Sequence, residues 1–315
     1  MEREIPVTQL PTSNPGRTAV ISVGPVVLAA PERGADLTVR VSAPVTGADL
    51  PVILLSHGHG SSMDGYAPLA DAWAAAGFVV IRPTHLDSRR MKLTDDDPRR
   101  PTIWRLRVAD MKLCLDRLDQ LVGAVPRLAE RVAPDRIAIV GHSFGGQTAG
   151  LLLGARMIGA DGEPGEDLSD ARLSAGVLLA AGGRGGDDLS DFAREHVPYL
   201  NSSFETLRKP TLVVAGDADH SPLTVRGPDW FADPFHLSPG AKALLTLFGG
   251  EHMLGGISGC DAAETTDENP ERVALVQRMT TAFLRSELVP GDRSWEEACG
   301  ALAAEAQPLG RIDLK

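Results

Sequence analysis

Three uninterrupted apolar runs, Val52-Ile53-Leu54-Leu55, Ile137-Ala138-Ile139-Val140 and Leu212-Val213-Val214, constrain the fold of this chain more than any other feature. A strand with one face in water alternates apolar and polar residues, whereas a strand covered on both faces need not. The runs therefore read as central strands of a parallel sheet sandwiched between helices. Strands are expected at 19–28, 37–42, 52–56, 78–82, 136–140, 176–180, 211–215 and 243–247. Helices are expected at 66–76, ending on Gly77, and at 102–125, 145–158 and 270–288. This alternation implies a single doubly wound α/β domain over residues 1–315, with a mostly parallel sheet of about eight strands. The first two strands have no helix between them and should pair as an antiparallel hairpin at the sheet edge. The core should span 19–288, with 289–315 as an extension packed on it through Trp295 and a short Ala-rich helix.

Two long stretches, 159–172 and 182–210, lack a pattern and read as irregular. The first carries Asp161, Glu163, Glu166, Asp167 and Asp170, but not at EF-hand spacing, so a solvated acidic loop is expected. A net charge of −11 argues against nucleic acid or an anionic membrane as partner. Cys114, Cys260 and Cys299 are too few for a disulfide framework and read as free thiols. The start, Met1-Glu2-Arg3-Glu4-Ile5-Pro6, has no signal-peptide pattern, and no run approaches the ~20 apolar residues of a membrane helix. A cytoplasmic protein is expected.

The chemistry is concentrated in Asp135-Arg-Ile-Ala-Ile-Val-Gly141-His142-Ser143-Phe144-Gly145-Gly146-Gln147. Here G-x-S-x-G stands directly after an apolar strand and directly before a helix, the context of a nucleophile elbow. The sharp turn strains the serine and demands glycines two residues to either side, while the helix N-terminus favours negative charge there. Gly141-x-x-x-Gly145 is not the G-x-G-x-x-G of a dinucleotide site, and no acidic ribose partner is evident, so no such cofactor is expected.

A serine hydroxyl needs a base. Elbows of this kind take their partners in the order Ser, acid, His. His252, in the loop after the last core strand, is the expected base, with His236 as fallback; His196 and His220 are worse placed. Gly216-Asp217-Ala218-Asp219 offers two acids. Asp219 lies further out and should orient the imidazole, while Asp217 should brace the turn. The oxyanion hole is expected at the backbone N–H groups of Phe144 and His59, the latter in the Gly-rich turn Ser56-His-Gly-His-Gly-Ser-Ser. His57 and His59 are read as shaping that turn rather than as a metal pair, so no metal is expected.

These segments, with Asp64-Gly-Tyr66, Ala76-Gly-Phe-Val-Val-Ile-Arg-Pro-Thr-His85 and Gly250-Glu-His252, resemble a branch of the α/β-hydrolase superfamily. That branch includes platelet-activating-factor acetylhydrolases, chlorophyllases and dienelactone-hydrolase-like bacterial esterases. The resemblance covers residues 19–288. It implies the α/β-hydrolase fold and cofactor-free hydrolysis of small-molecule or lipid-like carboxylic esters. Acyl transfer and thioester or amide cleavage use the same three residues, and a non-catalytic binding protein on this fold is the remaining alternative, against which the complete Ser, Asp and His set argues. The segment 221–240 is long for a minimal hydrolase. With His142, its Trp230, Phe231 and Phe235 are expected to wall the substrate pocket, as a lid-like insertion.

Overall fold

Two of the three apolar runs divide their side chains between two cores. Ile53, Leu55, Ala138 and Val140 join one buried cluster, and Val52, Leu54, Ile137 and Ile139 join another on the opposite face of the sheet. With period two, a strand covered on both sides must be apolar at every position. Each fully buried aliphatic side chain contributes roughly 1.5–3 kcal/mol.

The computed structural model describes residues 18–159, 161–259 and 265–315. Its strands are β1 (Val20–Leu28), β2 (Leu37–Pro44), β3 (Leu50–Ser56), β4 (Val79–Pro83), β5 (Val132–His142), β6 (Arg156–Met157), β7 (Leu173–Leu179), β8 (Ser202–Ser203), β9 (Thr211–Gly216), β10 (Ala241–Leu247) and β11 (Gly310–Leu314). The α-helices are α1 (Ala67–Ala75), α2 (Ile103–Asp116), α3 (Leu118–Gly123), α4 (Phe144–Leu153), α5 (Asp191–His196), α6 (Asp233–Leu237), α7 (Pro270–Leu288) and α8 (Ser294–Ala303). Nine strands form one sheet in the order β1-β2-β4-β3-β5-β7-β9-β10-β11, and β6 pairs separately with β8. The run β4-β3-β5-β7-β9-β10 is parallel. The β1–β2 hairpin closes one edge antiparallel, and β11 closes the other against β10.

One core lies under α1 and α7, through Leu69, Trp73, Val276, Met279 and Phe283; the other lies under α2, α3 and α4, through Met111, Cys114, Leu121 and Leu151. Helix α7 starts as its sequence dictates, with Pro270 in the first turn and the Asn269 side chain accepting the Arg272 N–H at 2.9 Å.

Several boundaries differ from expectation. The 102–125 helix breaks at Arg117 into α2 and α3. The 145–158 helix stops at Leu153, because Gly154 adopts φ 114° and the chain turns into β6. The stretch 182–210 carries α5, capped by the Ser190 hydroxyl, and β8. The acidic loop 159–172 is exposed at most of its described residues, as expected, and ion pairs run along it: Glu166 with Arg105, Asp167 with Arg156, and Asp170 with Arg172. The tail supplies α8, with Trp295 edge-on to Phe283, and the unexpected β11. Cys260 lies outside the described residues; Cys114 is buried and Cys299 half-buried, and burial raises both thiols' pKa. No helix among the described residues is long and apolar enough to cross a membrane.

Candidate active site

A parallel sheet delivers the C-terminal ends of its strands to one edge, where ligands of such sheets bind. Here those ends release His57 to His59 after β3, Ser143 after β5, Ala180 after β7, Asp217 to Asp219 after β9 and, further on, His252 after β10. Ser143 sits at φ 54°, ψ −121°, a conformation that an L-residue adopts only under constraint. A Cβ on Gly141 would collide with the Gly145 carbonyl, and one on Gly145 with the Ser56 carbonyl, so the elbow can pack only with glycine at both places.

Ser143 Oγ lies 2.8 Å from His252 Nε2, and His252 Nδ1 lies 2.9 Å from Asp219 Oδ2. Asp219 is buried, and its Oδ1 has no partner among the described residues. A carboxylate only accepts, so Nδ1 carries the proton and Nε2 is left to accept from the serine hydroxyl. Asp217 faces away and accepts the Gly249 N–H at 2.7 Å. His236 stands on α6 against Phe235. Among the described residues, the N–H groups of Phe144 and His59 have no acceptor.

A second layer of residues, in roles that the sequence does not disclose, holds this arrangement. Tyr66 Oη accepts the Gly58 N–H at 3.0 Å and donates to His142 Nδ1 at 2.6 Å, and His142 Nε2 donates to the His252 carbonyl at 2.8 Å. His142 thus ties the loop after β3 to the loop of His252. Burial, then the neighbouring His252, lowers its pKa to about 3, so the ring stays neutral and keeps this tautomer.

Arg107, fully buried on α2, donates twice to the His57 carbonyl at 2.9 and 2.8 Å and forks onto Asp87 at 2.9 and 3.2 Å. Its guanidinium also stacks 4.4 Å from the centre of the Phe144 ring. His57 Nδ1 donates to the Gly58 carbonyl, and Nε2 accepts the His85 N–H. Both its nitrogens are therefore occupied within the turn, and burial lowers its pKa to about 3. The clue to Arg107 was positional: it lies one helical turn from both Ile103 and Met111, on the inward face of α2. Leu106, the residue before it, is only half-buried.

A cavity of about 970 Å³ opens at Ser143, with Trp230, Phe231, Leu223 and Tyr199 among its walls. Phe235 is not among them; it is buried beside His236, with the Lys315 ammonium over its ring. His142 lines a smaller cavity on the same serine instead. The large cavity's outer wall joins the two insertions. Ser190 donates to the Pro222 and Leu223 carbonyls, and Val225 to Asp188. Arg226 reaches Asp188, Asp229 and Asp233, at 3.1, 2.6 and 2.7 Å. The 221–240 segment is thus one half of a cross-braced cap.

This arrangement can activate a hydroxyl beside two N–H donors that have no acceptor among the described residues. A sequence profile of the alpha/beta hydrolase family matches residues 52–311. No curated protein sequence matches the chain. With four-fifths of its length matched by the profile, the chain belongs to the alpha/beta hydrolase family.

Proposed function

We propose that this member of the family cleaves carboxylic esters by two-step acyl transfer, with Ser143 as nucleophile, His252 as general base and Asp219 as its orienting acid. The observation that carries the reading is the continuous hydrogen-bonded series Ser143–His252–Asp219, at 2.8 and 2.9 Å, beside two N–H groups that have no acceptor among the described residues. His252 Nε2 takes the Ser143 proton as Oγ attacks the ester carbon. The N–H groups of Phe144 and His59 hold the oxyanion, each worth about 3 kcal/mol in comparable sites. His252 then passes the proton to the departing alkoxide, leaving an acyl-enzyme. Water, deprotonated by His252, cleaves that intermediate and restores the serine.

The run from Ser56 to Ser62 and the elbow Gly141-His-Ser-Phe-Gly also support a finer affiliation, with the acetylhydrolase, chlorophyllase and dienelactone-hydrolase-like branch. We read the whole chain as one catalytic domain. The decisive experiment is turnover of short p-nitrophenyl esters with Ser143→Ala in parallel, together with fluorophosphonate labelling. Wild-type turnover and labelling, both lost in the variant, are expected. Turnover retained by Ser143→Ala would overturn the reading.

A further inference from the structure

Ser143, His59 and His252 stand where two unequal cavities meet. The larger, about 970 Å³, is walled mainly by apolar side chains, among them Leu93, Ile103, Leu223, Trp230 and Phe231. The smaller, about 280 Å³, is lined by Gly58, Ser61, Tyr66, His142, Met253 and Ser258, besides Arg89 and the three shared residues. Its lining is the more polar of the two. Ser258 is 2% exposed, and its hydroxyl has no partner among the described residues. A buried hydroxyl without a partner is destabilising, so a ligand that brings a partner to it is favoured there.

An ester carbon attacked at Ser143 carries two substituents pointing apart, the acyl chain and the alkoxy group. With two chambers at the serine, each substituent needs its own. We propose that the substrate is an ester of a large apolar acid with a small polar alcohol, the acyl chain filling the larger chamber and the alcohol the smaller. This rests on Ser143 being the nucleophile. The orientation follows from the proton. His252 has to protonate the departing alkoxide, and the smaller chamber is built on the loop of His252 itself, through Met253 and Ser258. The larger chamber draws its walls from α4 and the cap, through Phe144, Gln147, Trp230 and Phe231.

The test is kcat/KM of the full chain on a matrix of acetate and octanoate esters of glycerol, ethanol and 1-naphthol. Naphtholate is the best leaving group and glycerol the most compact polyol, so intrinsic reactivity and fit oppose each other. Octanoates are expected to exceed acetates for each alcohol. Monooctanoylglycerol is expected to exceed 1-naphthyl octanoate at least tenfold. Ser258→Ala is expected to lower the glycerol-to-ethyl ratio about fivefold, and removing an unpartnered hydroxyl should not cost stability. Leu223→Trp, which fills the larger chamber, should cut octanoate rates more than acetate rates.

Naphthyl esters equal to glyceryl esters would overturn the proposal, as would acetates of long-chain alcohols being preferred; either result leaves ester hydrolysis intact. If no ester turns over while a fluorophosphonate labels Ser143, the substrate class is wrong and the nucleophile stands. With neither turnover nor labelling, the hydrolysis reading and this one fall together.

Discussion

At the scale of single residues, the site separates groups that would react from groups that hold them. Asp219→Asn keeps the size of the acid but favours the wrong imidazole tautomer. It is expected to lower kcat by about 10³–10⁴ with little change in melting temperature; a loss below tenfold would remove Asp219 from the proposed series. Tyr66→Phe deletes both the acceptor of the Gly58 N–H and the donor to His142. Its kcat is expected to fall about tenfold or more, KM to change little, and stability to drop by roughly 1–3 kcal/mol. Lost stability with unchanged kcat would make Tyr66 a structural residue only. Ser143, Asp219 and His252 were legible because elbow, acid and base each follow a strand in a fixed order. Tyr66 and Arg107 were not, because their partners, His142 and the His57 carbonyl, lie about 76 and 50 residues away, beyond any local pattern.

At the scale of elements, the elbow sets packing against helix propensity. Gly145 lies in the first turn of α4, where alanine is the better helix former by about 1 kcal/mol. Its Cβ, however, would meet the Ser56 carbonyl on β3. Backbone carbonyls of a central strand cannot move aside, so Gly145→Ala is expected to destabilise the protein severely, read as loss of folded protein in a thermal melt; a stabilised variant would refute the close approach. The same contrast explains which elements the sequence disclosed. Eight strands and α7 carried strong periodic or capping signals. The short β6, β8 and β11 carry almost none, since they owe their pairing to neighbours rather than to their own composition. The break at Arg117 lies within an apolar pattern that continues across it.

Across the whole molecule, the buried Asp87–Arg107 pair joins β4's loop, α2 and the turn after β3 into one charged joint under the proposed oxyanion hole. Burial alone would raise the Asp87 carboxyl, but the Arg107 charge and hydrogen bonds outweigh it and hold its pKa at about 2. A carboxyl depressed on folding contributes stability that is complete above about pH 4 and disappears as pH falls through about 2, on the order of 2 kcal/mol. Asp110, which burial raises to about 7, stays protonated in the folded protein throughout this range; its unfolded carboxyl titrates near pH 4 in wild type and variant alike and cancels from their difference. Unfolding free energy should therefore fall between pH 4 and 2 in the wild type and fall less steeply in Asp87→Asn; equal slopes would show that the pair does not govern acid stability.

The hydrogen bonds from Gly58 through Tyr66 and His142 to His252 have a consequence for how such a protein can diversify. Three loops from three different strands are laced together through side chains, so lengthening or recutting any one of them displaces the other two. The cap is cross-braced internally through Ser190, Arg226 and Asp233, and its hydrogen bonds to the body, from Gln147 to the Tyr199 carbonyl and from Lys315 to the Phe235 and Ser238 carbonyls, bypass that lacing. New substrate preferences can therefore arise by rebuilding the cap while the chemistry stays undisturbed. A graft at the Gly58 turn would have to bring its own tyrosine and histidine with it.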